Sequence, residues 1–259
     1  MQRMSNILAI TQKELKSYFS SPIAYVVIGL YALVYGYYFY AAVRFFERQS
    51  MQMMGLGAGN PAVNINEQLI RPVFQYSMVV FLIVLPMITM RTYSEEKRSG
   101  TMELLLTSPI TDFQIIMGKF LGAMGLYAAM LGVTLLHMAL LYWVSNPEWM
   151  PIATSYLGLL LMGGCFMSVG LLISSFTKNQ IVAVVATFAV FMMFWMINWI
   201  AQFMSPTSQA VLNYLSITGH LEDFMGGVID TKHVVYYLSF IAFGLFLTAR
   251  SVDVERWRG

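Results

Sequence analysis

The sequence predicts an all-α integral membrane protein with six transmembrane helices, and three observations carry that prediction. Its 259 residues are 58% hydrophobic and only 11% charged, whereas a soluble domain carries about a quarter charged residues. Mean hydropathy is +0.65. Six stretches, at about 23–43, 72–90, 113–144, 152–173, 181–203 and 233–248, reach the roughly 20 mostly apolar residues that a spanning helix needs. They do not alternate in hydrophobicity as barrel strands would, and only helices or closed barrels satisfy the backbone inside lipid. None of the six contains Asp or Glu. Residues 1–21 read as a separate amphipathic segment and 22–259 as a single six-helix domain.

The first segment supplies apolar surface from Ile7, Leu8, Ile10, Leu15, Tyr18 and Phe19, and a wet side from Lys13, Glu14 and Lys16. Such a helix lies in the membrane interface. Ser20-Ser21-Pro22 breaks it, because a residue before proline avoids the helical region while proline suits a helix's first turn. The segment lacks the unbroken apolar core and cleavage site of a signal peptide, so it is expected to stay on the mature protein.

On the first spanning helix, Tyr31, Tyr35 and Tyr38 share a face. Tyr37, Tyr38 and Tyr40 fit an aromatic belt near the membrane surface. Tyr31 and Tyr35 lie deeper and are candidates for a translocation path or a dimer seam. The loop 44–71 holds MQMMGLGAGNPAVN, whose Gly, Asn and Pro predict irregular backbone. Met51, Met53 and Met54 are soft ligands in kind, but no His or Cys accompanies them and methionine is abundant throughout (21 residues). No metal site is expected.

The third helix carries Gly118-x-x-x-Gly122 and then Gly125, a spacing that lets helices approach closely in lipid. His137 lies deep in the same helix. An intramembrane ionisable group is a functional candidate by default, to be weighed against a neutral histidine with one helix–helix hydrogen bond. Gly163-Gly164, Ser168 and Gly170 on the fourth helix, and Ala183, Ala186 and Ala189 on the fifth, predict tight helix contacts. Trp195 and Trp199 predict an interface anchor. Residues 204–232 predict one or two short amphipathic helices on the outer face, broken by Gly219 and Gly226-Gly227.

Lysine and arginine set the orientation. With both ends in the cytoplasm, the inner side carries Arg3, Lys13, Lys16, Arg91, Lys97, Arg98, Lys178, Arg250, Arg256 and Arg258, with Lys119 just inside the third helix. The outer side carries only Arg44, Arg48, Arg71 and Lys232. A multi-pass protein of the cell (inner) membrane with cytoplasmic termini is expected.

Several functions are excluded. The net charge of +2 is not clustered as a nucleic-acid patch, and a single cysteine, Cys165, cannot form a disulfide within the chain. There is no phosphate loop: Gly118-Lys119 is followed by Phe120 and lacks the leading glycine. No H-E-x-x-H or G-x-S-x-G occurs, so no enzyme activity is expected of this chain. No membrane carboxylate is available to relay protons or hold sodium. Passive transport, a role driven by a partner, or a structural role remain.

The densest mixed-charge run is RTYSEEKRSGTMELLLTSPITD at 91–112, between the second and third spans. Thr92-x-x-Glu95 has the form of a capping box. Gly100 allows a bend, and Ser108-Pro109 ends the following short helix. Met102, Leu105 and Leu106 are expected to form one apolar patch rimmed by charge, which marks an interaction site suited to docking in a partner's groove.

That run, S-E-E-K-R-S-G-T-M-E-L-L-L-T-S-P, closely resembles the hallmark segment of type-2 ABC-transporter permeases. K-E-L-K-S-Y-F-S-S-P-I-A-Y at 13–25 resembles the family's connector-helix entry, and L-S-I-T-G-H-L-E-D-F-M-G-G-V-I-D at 215–230 its outer segment before the last helix. The chain is most similar to the short permeases of gliding-motility and nitrous-oxide-reductase maturation transporters, although it lacks an obvious Cys or His cluster that copper delivery would suggest. The resemblance implies a connector helix with Lys13, Glu14, Lys16 and Pro22. It also implies a cytoplasmic coupling helix formed by Gly100, Thr101, Met102, Glu103, Leu104, Leu105, Leu106 and Thr107, with Glu95 and Glu96 in the preceding extension. It implies a second copy or related permease, and cytoplasmic ATPase subunits that hold ATP and magnesium while this chain holds no cofactor.

The function expected is therefore the permease of an ATP-driven exporter. The alternative is a mechanical membrane module, driven by the same kind of ATPase and acting on outer-face proteins without moving a solute.

Overall fold

The computed structural model describes residues 2–55, 64–103 and 110–256. The described residues are helical and contain no strand. Six helices are long and apolar enough to cross a membrane, matching the six stretches read from the sequence.

Helix α1 (Gln2–Ser20) ends at Ser21, whose hydroxyl accepts from the Ile23 amide at 3.4 Å. Helix α2 (Pro22–Gly55) then begins on its proline. Its 34 residues span ~51 Å at about 1.5 Å per residue, well over the ~30 Å of a hydrocarbon core. The helix thus continues through Met51 and Met53, where irregular backbone was expected. No glycine or proline interrupts 44–54, and Arg44 pairs with Glu47 one turn on at 2.8 Å. The Gly-rich part of that loop, 56–63, lies outside the described residues, as does the Met54 side chain.

A π-turn at Asn66–Ile70 leads into α3 (Arg71–Thr89) and α4 (Arg91–Ser99). Met90 between them keeps helical dihedrals (φ −53°, ψ −34°), so α3 and α4 form one rod. The rod stops at Gly100, whose φ of +72° lies in the left-handed region that glycine enters without a Cβ penalty. Thr101–Glu103 are helical again. Helix α5 (Asp112–Val144) starts from a capping box at Thr111, whose amide donates to Oε1 of Gln114 at 3.1 Å. Then follow α6 (Trp149–Phe176), α7 (Gln180–Ala201), the short helices α8 (Pro206–Leu215) and α9 (Leu221–Met225), and α10 (Thr231–Arg256).

Helix α6 runs through the core, and its small residues admit neighbours at short range. A Cβ at Gly163 would lie 2.1 Å from the Tyr127 ring, at Gly164 2.7 Å from Ile241, and at Gly170 2.3 Å from Thr89. The predicted tight contacts of α6 are thus made with α5, α10 and α3. The glycine stripe of α5 has a different partner from the one its motif suggests. Gly118 faces Ile10, Gly122 faces Glu14 and Gly125 faces Leu15, with Cβ positions 2.6–2.8 Å from those side chains. The stripe is a groove for α1, so the amphipathic helix is seated on α5, and its Ile10 and Tyr18 are buried. The tight packing substitutes for hydrophobic drive, which is weak between apolar surfaces in lipid.

The topology puts α1, α4 and the ends of α5, α6 and α10 at one end of the bundle. At the other end, α9 packs on α6, with Phe224 and Leu221 over Gly158 and the Phe224 carbonyl accepting from Thr154 Oγ1.

Candidate functional site

The stem of the mixed-charge loop is built around a buried lysine. Lys119, about two turns into α5, is 1% exposed. A charge can be buried only if it is paired and hydrogen-bonded. The ammonium donates to Glu14 on α1 at 2.9 Å and to the Thr92 carbonyl at 2.8 Å, and it forms an ion pair with Glu96 on α4 at 2.8 Å. The Tyr93 ring lies 5.2 Å from the ammonium and adds a cation–π face. Lys13 approaches Glu96 at 3.5 Å from the solvent side, balancing the second carboxylate. One side chain therefore ties the amphipathic helix, the extension of the second span and the third span.

Around this centre, Arg91 grips Glu95 with two hydrogen bonds of 2.6 and 2.9 Å and reaches the Ser21 hydroxyl at 3.2 Å. Tyr18 donates to the Ile88 carbonyl at 3.2 Å; burial pushes its hydroxyl pKa up, so it remains a donor. Glu14, Ser17, Tyr18, Arg91, Thr92 and Glu95 line a small cleft between α1 and α4.

On the other side of α4, the Ser174 hydroxyl of α6 accepts from the amides of Tyr93 and Ser94, each at 3.1 Å, and lies 3.1 Å from the Met90 carbonyl. It satisfies amides at the α3–α4 junction from a neighbouring helix. Lys97 donates to the Ser175 carbonyl, and the Ser175 and Ser251 hydroxyls meet at 2.7 Å, which carries the network to α10.

These contacts locate the residues singled out in the sequence. Glu14, Glu95 and Glu96 are in the ion-pair network, and Lys13 is at its rim. Lys16 and Pro22 are exposed. Gly100 ends α4, and the Thr101 hydroxyl caps back onto the Glu96 carbonyl at 3.4 Å. Glu103 is exposed. Leu104, Leu105, Leu106 and Thr107, with Ser108-Pro109, lie outside the described residues.

Two expectations are corrected. Thr92 and Glu95 do not form a capping box, because no helix begins there: the rod is continuous, Glu95 turns back to Arg91, and the Thr92 carbonyl takes Lys119. Met102 is not part of an exposed patch, being 5% exposed and packed in the core.

The sequence reading missed Lys119 as the hub. Its signal was present, since a lysine inside an apolar helix demands counter-charges. Ser174, Ser175 and Ser251 carried no comparable signal.

Tyr31 and Tyr35 are 0% and 2% exposed, inside the chain rather than on its surface. Tyr31 stacks on Phe81 at 5.4 Å, and Tyr35 meets His137 edge-on at 5.1 Å. Both hydroxyls and Nδ1 of His137 are buried without a hydrogen bond. Near them are Ser77, and Thr134 and Tyr156, which bond each other at 2.7 Å. Residues of four spans, α2, α3, α5 and α6, thus form a polar pocket inside apolar packing, with unused hydrogen-bonding capacity at Tyr31, Tyr35 and His137.

The far end of the bundle brings together two of the three histidines, although the sequence shows no obvious histidine cluster. His220 and His233 are both buried and face each other through Nδ1. Burial lowers the His220 pKa. Asp230 has its carboxyl pKa held down by the Lys232 amide and ammonium.

Residues 8–249 match a family model described as ABC-2 family transporter protein. No curated protein matches the chain.

Proposed function

The chain belongs to the ABC-2 transporter family, as a multi-pass membrane subunit of an ABC transporter, and from that premise we propose that it is the permease of an ATP-driven exporter. Both termini are cytoplasmic, in line with the excess of Lys and Arg on that side. The loop 100–107 docks in a groove of a cytoplasmic ATPase, which binds ATP and magnesium, and two permease copies sit on two ATPase subunits.

The observation that carries this reading is the Lys119 clamp. A loop that only tethered a partner would not need its stem welded to the transmembrane helices. Here the stem, α4, is bound to α1 and α5 through Lys119 and to α6 and α10 through the Ser174, Ser175 and Ser251 contacts. When ATP closes the ATPase dimer, movement of the docked loop displaces α4. Removing one partner of a buried ion pair costs about 3–5 kcal/mol, so α4 moves together with α1 and α5 as a rigid group. The two six-helix halves then rearrange, and substrate passes between them or along a lateral face. Tyr31, Tyr35 and His137, packed within one half, join that path only when the rearrangement parts their own helices.

The test is recovery of the complex. Wild-type chain is expected to co-purify with its ABC ATPase from membranes, and Leu105→Arg to reach the membrane but lose the ATPase. Equal recovery of the ATPase by both would overturn the docking assignment.

A further inference from the structure

At the end of the bundle away from the coupling loop, hydrogen-bond roles can be assigned from one fixed point. The Tyr214 carbonyl can only accept, so Nε2 of His220, 2.9 Å away, carries a proton and donates. In the tautomer so fixed, Nδ1 of the buried His220 is an acceptor. Nδ1 of His233 faces it at 2.5 Å and must be the donor. Nε2 of His233 then points at Oδ2 of Asp223, only 2.6 Å away. A contact this short between a ring nitrogen and a carboxylate needs a positive charge between them, which a proton or a metal ion supplies.

Asp230 completes the surroundings. One ligand atom from each of Asp223, Asp230 and His233 lies within 4.8 Å of the other two. A cationic group already stands beside them: the Lys232 ammonium is 2.9 Å from Asp230 and 3.8 Å from Asp223. His233 is 8% exposed on its side chain while Asp223 is 49% exposed, so the position is anchored from within and open to the outside.

We propose that Asp223, Asp230 and His233 form a binding site for a divalent cation of the zinc class on this outer end. One imidazole and two carboxylates, with a fourth position open to water, suit zinc's donor preference and tetrahedral geometry. His220 orients the ligand: Nδ1–H of His233 donates to Nδ1 of His220, whose Nε2–H donates to the Tyr214 carbonyl. Ligating histidines are held in this way by their second nitrogen. Lys232 swings aside when the metal enters. The ion joins α9, through Asp223, to the start of α10, through Asp230 and His233, and so staples the outer loop to the last span.

The test is zinc titration of the full chain in nanodiscs, by calorimetry, with cobalt absorption as a second readout of tetrahedral coordination. One equivalent is expected to saturate the wild type. His233→Ala and Asp223→Asn should abolish that binding; the second changes an exposed side chain and leaves the fold intact. His220→Phe should weaken it by about 10- to 100-fold. Lys232→Gln should tighten it by at least about tenfold, because a like charge is removed from within ~4 Å of the ion. No stoichiometric binding to the wild type would mean that only a proton occupies Nε2 and would overturn the proposal. So would zinc binding that survives His233→Ala, or that is unchanged in Lys232→Gln. None of these outcomes bears on ATPase docking at the opposite end.

Discussion

The ammonium of Lys119 lies 2.8 Å from the carboxylate of Glu96, and the lysine is 1% exposed. That contact crosses from the third span to the stem of the loop that follows the second, and Glu14 at 2.9 Å extends it to the N-terminal helix. A buried cation held by two carboxylates and one carbonyl is either complete or costly, since each unpaired member keeps its desolvation penalty without its Coulombic return.

Lys119→Met is therefore expected to destabilise the protein by about 3–5 kcal/mol, because Glu14 loses its buried partner and Glu96 keeps only the longer contact to Lys13 at 3.5 Å. Thermal melts in nanodiscs measure this. The triple variant Glu14→Gln, Glu96→Gln, Lys119→Met removes the buried cation and its two carboxylates together and should recover most of that loss.

The α1 groove gives a second expectation. Gly122→Ala puts a methyl 2.6 Å from the Glu14 Cβ, an atom that cannot move without shifting α1. A loss of about 1–3 kcal/mol is expected from such overpacking, with faster proteolysis of α1. Gly132→Ala on the same helix, where no atom lies within 4 Å, should leave both readouts unchanged.

Ser174→Ala takes the acceptor from the amides of Tyr93 and Ser94. A buried unsatisfied donor costs about 1–3 kcal/mol. Hydrogen exchange should report the change locally, with faster exchange in α4 and little change in α7.

The tyrosine hydroxyls in the polar pocket divide packing from transport. Tyr31→Phe with Tyr35→Phe removes two buried hydroxyls that have no hydrogen bond, so stability should hold or rise. Transport, measured in proteoliposomes, should fall if those hydroxyls contact the substrate. Unchanged transport would assign them to packing.

Much of the fold was legible because lipid imposes it. Apolar length gave the six spans, Ser21-Pro22 the break after α1, and the glycines at 219 and 226–227 the division of the segment between the last two spans. The errors have local causes. Residues 44–55 read as loop because the Gly-rich stretch beyond them weighed on the whole segment, yet nothing before Gly55 stops the helix. The glycine stripe of α5 was legible as a close contact, but its partner was not, since the spacing says only that something approaches. Of the site, the carboxylates Glu95 and Glu96 stood out by charge density. The Lys119–Glu14 pair joins residues far apart in the chain, and no pattern along the sequence records it. The same holds for His220 and His233, brought together by the turn between α9 and α10.

The central claim is that the Lys119 network transmits ATPase movement into the membrane, and ATP hydrolysis by the reconstituted complex tests it most directly. The triple variant, Glu14→Gln, Glu96→Gln, Lys119→Met, keeps the loop 100–107 and should still bind the ATPase. The account predicts that its hydrolysis rate no longer responds to assembly with the permease or to transport conditions, while the wild-type complex does. A triple variant that binds the ATPase and couples like the wild type would contradict it.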